Sequence, residues 1–157
     1  MLIPLIYNQP GRIPPRLQID AMVNNYDFPH TILDYLGQPP LEGKGLPGKS
    51  YAPMLERKKR PWNNVVFGEY QYARMIRTER WKYVQRTEGF SSELYDLLLD
   101  AGERWNLIKE PDQAERVREM REDLNRWFAE RGCASPDAWK STRQILPTYK
   151  AQGVGGQ

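Results

Sequence analysis

The stretch that decides the fold is residues 93–107, ELYDLLLDAGERWNL. Its first part, ELYDL, has the apolar bulk of a β-strand. A tight turn is predicted at residues 100–102, where a short acidic side chain and a glycine favour a reversal of the chain. Trp105 and Leu107 follow this turn and are expected to pack onto the core. The stretch therefore contains, in order, a strand, a turn and the segment that leads into a helix.

Three further strands are predicted before this one, and the gaps between the strands are short. The first two gaps hold two residues each, as antiparallel hairpins require. In the third strand Trp81 and Tyr83 alternate with Lys82, which is the period-2 pattern of a half-buried strand. The sequence therefore predicts a four-stranded antiparallel meander with strands at residues 64–70, 73–78, 81–86 and 92–97.

The clearest helix follows the meander, opening at Pro111 and ending at Gly132. Its apolar residues recur at helical spacing and form one stripe, consisting of Ala114, Val117, Met120, Leu124, Trp127 and Phe128. An amphipathic helix of this kind buries its stripe, so we expect it to lie across one face of the meander. The predicted fold class is α+β, with a long C-terminal helix on a four-stranded sheet.

The N-terminal part has a different character. Residues 2–7 are nearly all apolar, which is typical of a strand buried on both faces of a parallel sheet. Nothing nearby in the sequence could supply that sheet, so this strand is expected to belong to a larger structure. A short helix is predicted at residues 28–36, ending at Gly37. A long loop rich in proline and glycine, residues 38–62, comes next, with one helical turn at 52–55.

Composition excludes several classes of protein. The net charge is +3, but basic and acidic residues are interleaved. The one dense basic run, residues 57–60, could bind nucleic acid or an anionic polymer, although such a run more often forms a solvated loop. No nucleic-acid partner is therefore predicted. No apolar run approaches the ~20 residues that cross a bilayer, and residues 1–6 do not make a convincing signal peptide.

Residues that could carry chemistry are few. His30 is the only histidine, and its place in the first turn of a predicted helix favours a structural or capping role. Cys133 is the only cysteine, which excludes an internal disulfide, and it follows a helix end, where the dipole disfavours a thiolate. Zinc needs about four such ligands. Nucleophilic catalysis and zinc binding are therefore not predicted.

Two other groups of polar residues have side chains that could bind an ion. Asp96, Asp100 and Glu103 could attract calcium or magnesium, but we favour a turn-shaping role in which Asp100 and Glu103 accept backbone N–H bonds. Polar groups on the meander could face an anionic ligand or simply water; they are Glu69, Tyr70, Arg74, Arg77 and Lys82. No catalytic or metal-binding residue is predicted, and none is assigned to substrate binding.

A series of short motifs carries a family resemblance. In order they are IPLI (3–6), PGRIP (10–14), NYDFP (25–29), TILDYLG (31–37), GLPGKS (45–50), GEY (68–70), MIRT (75–78), WKYV (81–84), ELYDL (93–97), GE (102–103) and NL (106–107). Over roughly residues 1–130 this order resembles the C-terminal part of a sulfatase, in the arylsulfatase-like branch of the alkaline phosphatase superfamily. Two departures are local: Ala101 stands where the family often has proline, and His30 separates Pro29 from Thr31.

The resemblance implies a subdomain docked on a larger α/β catalytic domain. Residues 1–62 would be the end of that catalytic domain, with residues 2–7 as its last strand. Residues 63–132 would be the sheet-and-helix subdomain, and residues 133–157 a tail. The family's calcium site and its formylglycine, made in a Cys/Ser-x-Pro-x-Arg motif, would lie earlier in the parent chain. The nearest local match, CASPD at residues 133–137, does not fit this motif.

The chain is accordingly expected to be the C-terminal part of a sulfatase and inactive alone. Its partners would be the missing catalytic domain and, for the parent, a sulfate ester. Calcium and formylglycine are implied only for the missing part. One alternative is an accessory subunit that completes a separately encoded catalytic half. Another is a module that binds sulfated polysaccharide through residues 57–60 and the cations of the sheet. A periplasmic or secreted location would follow if the parent carries a signal peptide.

Overall fold

The computed structural model describes residues 3–41, 46–87 and 89–133. These residues form one antiparallel sheet in the order β1-β2-β3-β4, with helices before and after it. The elements are α1 (Asp27–Tyr35), α2 (Ala52–Leu55), β1 (Val66–Tyr70), β2 (Ala73–Arg77), β3 (Trp81–Arg86), β4 (Glu93–Asp96), a 3-10 turn (Pro111–Gln113) and α3 (Ala114–Ala129). The predicted meander and long helix are confirmed.

The register of the sheet decides which residues share a face. Ile76 pairs with Tyr83, and Tyr83 pairs with Leu94, so these three side chains form a row across β2, β3 and β4. Successive residues of a strand point to opposite faces. The neighbouring pair, Arg77 and Lys82, therefore lies on the other face. We call that second face, which is turned away from α3, the open face.

Helix α3 covers the first face and forms the core with it. The buried cluster joins Ile76, Tyr83 and Leu94 of the sheet to Met120, Leu124 and Phe128 of the helix. Val117 and Trp127 pack against the cluster while remaining partly buried. The predicted stripe is thus correct except at Ala114, which is exposed at the start of the helix.

The turn after β4 corrects one prediction. Leu107 is partly buried against the core, and its N–H donates to the Leu94 carbonyl at 2.8 Å. Trp105, in contrast, is 64% exposed, so the prediction that it packs onto the core is wrong. The Asp100 carboxylate accepts the N–H groups of Arg104 and Trp105 at 2.6 and 2.8 Å. These bonds fix a backbone path that leaves the Trp105 ring in solvent.

The strand predicted at residues 2–7 would pair within a larger sheet that the described residues do not include, so it stays a prediction. Residues 3–9 belong to no strand among the described residues, and Ile3 and Ile6 are 66% and 86% exposed. A strand needs a neighbouring strand for its backbone hydrogen bonds, and the described part of this chain offers none. The short helix α1 is confirmed, one residue earlier than predicted. Gly37 ends it with a positive φ of 69°, as expected.

Both edges of the sheet are covered by polar groups from outside it. On β1, the Phe67 carbonyl accepts the side-chain amide of Asn24 at 2.7 Å, and the Phe67 N–H donates to the Tyr26 hydroxyl at 3.2 Å. On β4, the Leu94 N–H donates to the side-chain oxygen of Asn106 at 3.0 Å. Unpaired edge groups attract further strands. These contacts satisfy the edge groups of Phe67 and Leu94, and those on β1 also tie the N-terminal segment to the sheet.

Among the residues that the structure describes, no helix combines the length and the apolar character needed to cross a membrane. The predicted tail lies beyond Cys133, outside the described residues.

Candidate functional site

The open face of the sheet is one wall of a large cleft, and residues 3–25 form much of the other wall. The cleft has a volume of about 1610 Å³. Apolar side chains supply much of its lining, among them Ile13, Met22, Val66, Met75 and Val84. A concave, mostly apolar surface with a few polar groups is the usual form of a binding site in a protein. The cleft is therefore the candidate functional site.

The open face carries four charged side chains that line the cleft: Arg77, Lys82, Arg86 and Glu93. Arg86 pairs with the Glu93 carboxylate at 2.6 Å, and the other oxygen of Glu93 accepts the Tyr95 hydroxyl at 3.1 Å. Burial, and after it the nearby Glu93 carboxylate, raises the pKa of Tyr95. Tyr95 therefore keeps its proton and remains a hydrogen-bond donor to Glu93.

Lys82 and Arg77 differ in whether a carboxylate neutralises their positive charge. The Lys82 ammonium pairs with Glu103, from the turn after β4, at 2.5 Å. The Arg77 Nε atom is buried and has no hydrogen-bond partner among the described residues. The cleft thus contains two ion pairs, whereas Arg77 and the exposed Arg16 both line it without an ion-pair partner among the described residues.

The polar groups predicted on the meander do not form one surface. Only Arg77 and Lys82 line the cleft. Arg74 lies on the opposite face, where it is 2% exposed, pairs with Glu69 at 2.7 Å and stacks over the Phe128 ring at 4.2 Å. Tyr70 is exposed at the end of β1. Sequence reasoning missed the Arg86–Glu93 pair; hairpin register combined with period-2 alternation was the signal that could have found it.

The basic run at residues 57–60 is not part of the cleft lining. Lys58 in this run pairs with Glu56 at 2.6 Å, and Glu56 also pairs with Arg12 at 2.6 Å. Both neighbouring cations lower the pKa of Glu56, with Lys58 contributing most. The basic run and the cations of the open face are therefore separate features.

The acidic residues near the turn do not form a metal site. The Asp96 carboxylate pairs with Arg80 at 2.8 Å, and Arg80 lowers the pKa of Asp96. Asp100 accepts backbone N–H groups, which confirms its predicted turn-shaping role. The same prediction for Glu103 is wrong, because its carboxylate binds Lys82 instead. Within the described residues, no group of three or more His, Cys, Asp or Glu side chains could hold a metal ion.

His30 has a structural contact, in line with its predicted role. Its Nε2 atom donates to the Pro47 carbonyl at 3.0 Å, which joins α1 to the loop before α2. At Gly48, in this loop, an added Cβ would lie 2.6 Å from the His30 ring and would also collide with the Tyr26 carbonyl. The loop therefore requires glycine at this position. Cys133 is free and exposed.

Comparison with known proteins gives consistent matches. The family model described as N-sulphoglucosamine sulphohydrolase, C-terminal, matches residues 1–130. Among curated proteins, the chain is 34% identical over 131 residues to Delta 4,5-hexuronate-2-O-sulfatase of Bacteroides thetaiotaomicron. That match covers 76% of this chain and 27% of the relative. The chain therefore spans about a quarter of the length of this relative.

Solved structures share the fold. A crystal structure of a putative sulfatase from Bacteroides thetaiotaomicron matches with a TM-score of 0.54 and 30% identity, covering 69% of this chain and 27% of that one. Phosphonate monoester hydrolase of Agrobacterium radiobacter matches with a TM-score of 0.58 and 27% identity, covering 67% and 24%. The sheet-and-helix unit thus occurs beside more than one kind of hydrolytic chemistry. On the family match over residues 1–130, this chain belongs to the N-sulphoglucosamine sulphohydrolase C-terminal family and is a C-terminal region of a sulfatase.

Proposed function

We propose that the chain serves as the non-catalytic module of a sulfatase whose catalytic region hydrolyses a sulfate ester. The match covers 27% of the Bacteroides relative, so most of such an enzyme lies outside the matched part. The name of that relative, Delta 4,5-hexuronate-2-O-sulfatase, makes a 2-O-sulfated Δ4,5-hexuronate the first substrate to test.

The described residues do not fit the cofactors that the family uses. They contain no cluster of His, Cys, Asp and Glu that could hold calcium. The sequence CASPD at residues 133–137 has proline one place late and aspartate where the formylglycine motif needs arginine. In this proposal calcium and formylglycine belong to the catalytic region, and the module contributes binding surface and no chemical step.

The observation that carries the proposal is the unpartnered apolar surface of the N-terminal segment. Ile3, Leu5 and Ile6 are exposed in a stretch without a partner strand among the described residues. This stretch continues into the apolar cleft on the open face. Contiguous exposed apolar surface marks an interaction site. The catalytic region would cover it by adding the stretch to its own sheet.

The first experiment is an activity assay of the purified chain on an aryl sulfate, where we expect no turnover. The second is to sequence the DNA upstream of the Met1 codon and to express what it encodes, with and without this module. An in-frame continuation carrying Cys/Ser-x-Pro-x-Arg would make the module the tail of one enzyme chain. A stop codon and a ribosome-binding site would instead favour a separate accessory subunit. Turnover by the isolated chain would refute the proposal.

A further inference from the structure

Two cations face each other across the open face of the sheet. Arg77 of β2 and Lys82 of β3 are direct register partners, and both line the cleft. Like charges placed directly opposite each other on neighbouring strands destabilise the pair. The Glu103 carboxylate compensates one of them through its 2.5 Å contact with Lys82. The pair retains one positive charge in excess.

That excess charge resides on Arg77. Its Nε–H group is buried and without a hydrogen-bond partner in the part of the chain that the structure describes. Arg77 as a whole is partly buried, and leaving a buried N–H donor without an acceptor is costly in free energy. The residues beside Arg77 on the open face, Val66 and Met75, are apolar and weaken the screening of its charge.

The remaining charged groups of the cleft do not supply the missing anion. Glu93 is engaged by Arg86 and Tyr95. Asp20 and Arg16 both line the cleft, but no ion pair joins Asp20 to Arg77 or to Arg16 among the described residues. The cleft is also large enough, at about 1610 Å³, to admit a group from outside.

We propose that the cleft binds an oxyanion between the Arg77 guanidinium and the Lys82 ammonium. The planar fork of an arginine matches two oxygens of a sulfate or carboxylate group, and the lysine adds a point charge opposite it. The bound oxyanion can belong to a sulfate group or to the carboxylate of another polypeptide segment. The site is made by residues of this chain, in the cleft whose rim the catalytic region would cover in the proposed function.

The test is a titration of the full chain with anions, in which NMR monitors the arginine Nε–H resonances. Sodium sulfate and sodium acetate are added separately, with sodium chloride at equal ionic strength as the reference. We expect the Arg77 resonance to move saturably with sulfate, acetate or both, and not with chloride. Tighter binding of sulfate assigns the site to a sulfate group, and equal or tighter binding of acetate assigns it to a carboxylate.

Variants separate a specific site from general charge effects. Arg77→Gln should weaken anion binding about tenfold, the equivalent of about 1.4 kcal/mol, as followed by the resonances of neighbouring backbone amides. Arg118→Gln removes the same charge from the exposed surface of α3, where Arg118 pairs with Glu115 and Glu122, and should leave the affinity unchanged.

Three results would overturn the proposal. The first is the absence of any saturable shift of the Arg77 resonance in the unmodified chain, a measurement that does not depend on a variant folding. The second is equal affinity in the Arg77→Gln and unmodified proteins. The third is a shift of the Arg77 resonance on Asp20→Asn substitution without any response to added anions, which would identify an internal ion pair in solution.

Discussion

Replacing Asp96 by asparagine should destabilise the protein through a contact within the stretch that decides the fold. Asp96 is 4% exposed, and its carboxylate accepts three bonds from Arg80, at 2.8, 3.1 and 3.2 Å. It also accepts the Leu98 N–H at 3.1 Å, at the end of β4. Asparagine keeps the shape but turns one acceptor into a donor that faces other donors.

The magnitude follows from the charge and the exposure of the two partners. A hydrogen bond to a charged group contributes about 1.5–3 kcal/mol to stability. Arg80 is half exposed, at 52%, so water competes for its guanidinium and places the loss at the lower end, about 2 kcal/mol. Urea unfolding, monitored by tryptophan fluorescence, measures this loss of stability, because the Arg80 guanidinium lies 4.9 Å from the centre of the Trp81 ring.

The control is Glu115→Gln, which removes another carboxylate paired with arginine. Glu115 and its partner Arg118 are both exposed on α3, at 66% and 51%. Exposed ion pairs are screened by water and salt, so this substitution should leave the unfolding midpoint nearly unchanged.

The pH dependence supplies a second readout. Arg80, followed by backbone N–H groups, lowers the pKa of Asp96 in the folded protein. The stabilisation is therefore present above the pKa of an unfolded aspartate, about 3.9, and is lost as the pH falls through the lower folded value. The stability gap between the native protein and Asp96→Asn should narrow in this acidic range. Equal midpoints at neutral pH, or a gap that stays constant down to about pH 2, would refute the reasoning.

Four further substitutions test other parts of the structure. Leu124→Ala should lower the free energy of unfolding by about 2–5 kcal/mol, measured in denaturant, because Leu124 is fully buried and truncation leaves a cavity. Gly48→Ala should cost more than about 1 kcal/mol in a thermal melt, since φ is 114° and its Cβ would collide with a backbone carbonyl. Arg57→Gly should stabilise by about 1 kcal/mol, because a positive φ of 59° strains arginine; an unchanged melting temperature would contradict this. Ile6→Asp should prevent co-purification with the catalytic region, whereas Leu98→Asp, also exposed, should not.

Local sequence signals predicted the elements that depend on near neighbours. The four strands and α3 follow from period-2 and period-3.6 patterns, and each strand lies within two residues of its predicted bounds. The Asp100 turn was predictable for the same reason, because its carboxylate bonds the N–H groups of Arg104 and Trp105, four and five residues ahead. Residues this close meet in almost any fold of the chain.

The candidate site was only partly predictable. The polar residues predicted on the meander included Arg77 and Lys82, which line the cleft. They also included Arg74, which lies on the opposite face of the sheet because successive residues of a strand alternate between faces. The partner of Lys82 is Glu103, which lies 21 residues further along the chain. The sequence carries no signal for such a distant pairing until the sheet brings its strands together.

The sequence by itself determined the meander, the helix and the turn, because each is stabilised by contacts between residues close in the chain. The tertiary structure alone decided that Trp105 is exposed, that residues 3–7 have no partner strand among the described residues, and that Arg77 lies in the cleft without a described partner. These outcomes depend on which groups are available across the fold. A strand needs a second strand and a buried N–H donor needs an acceptor, and the sequence pattern does not show which distant group supplies either one.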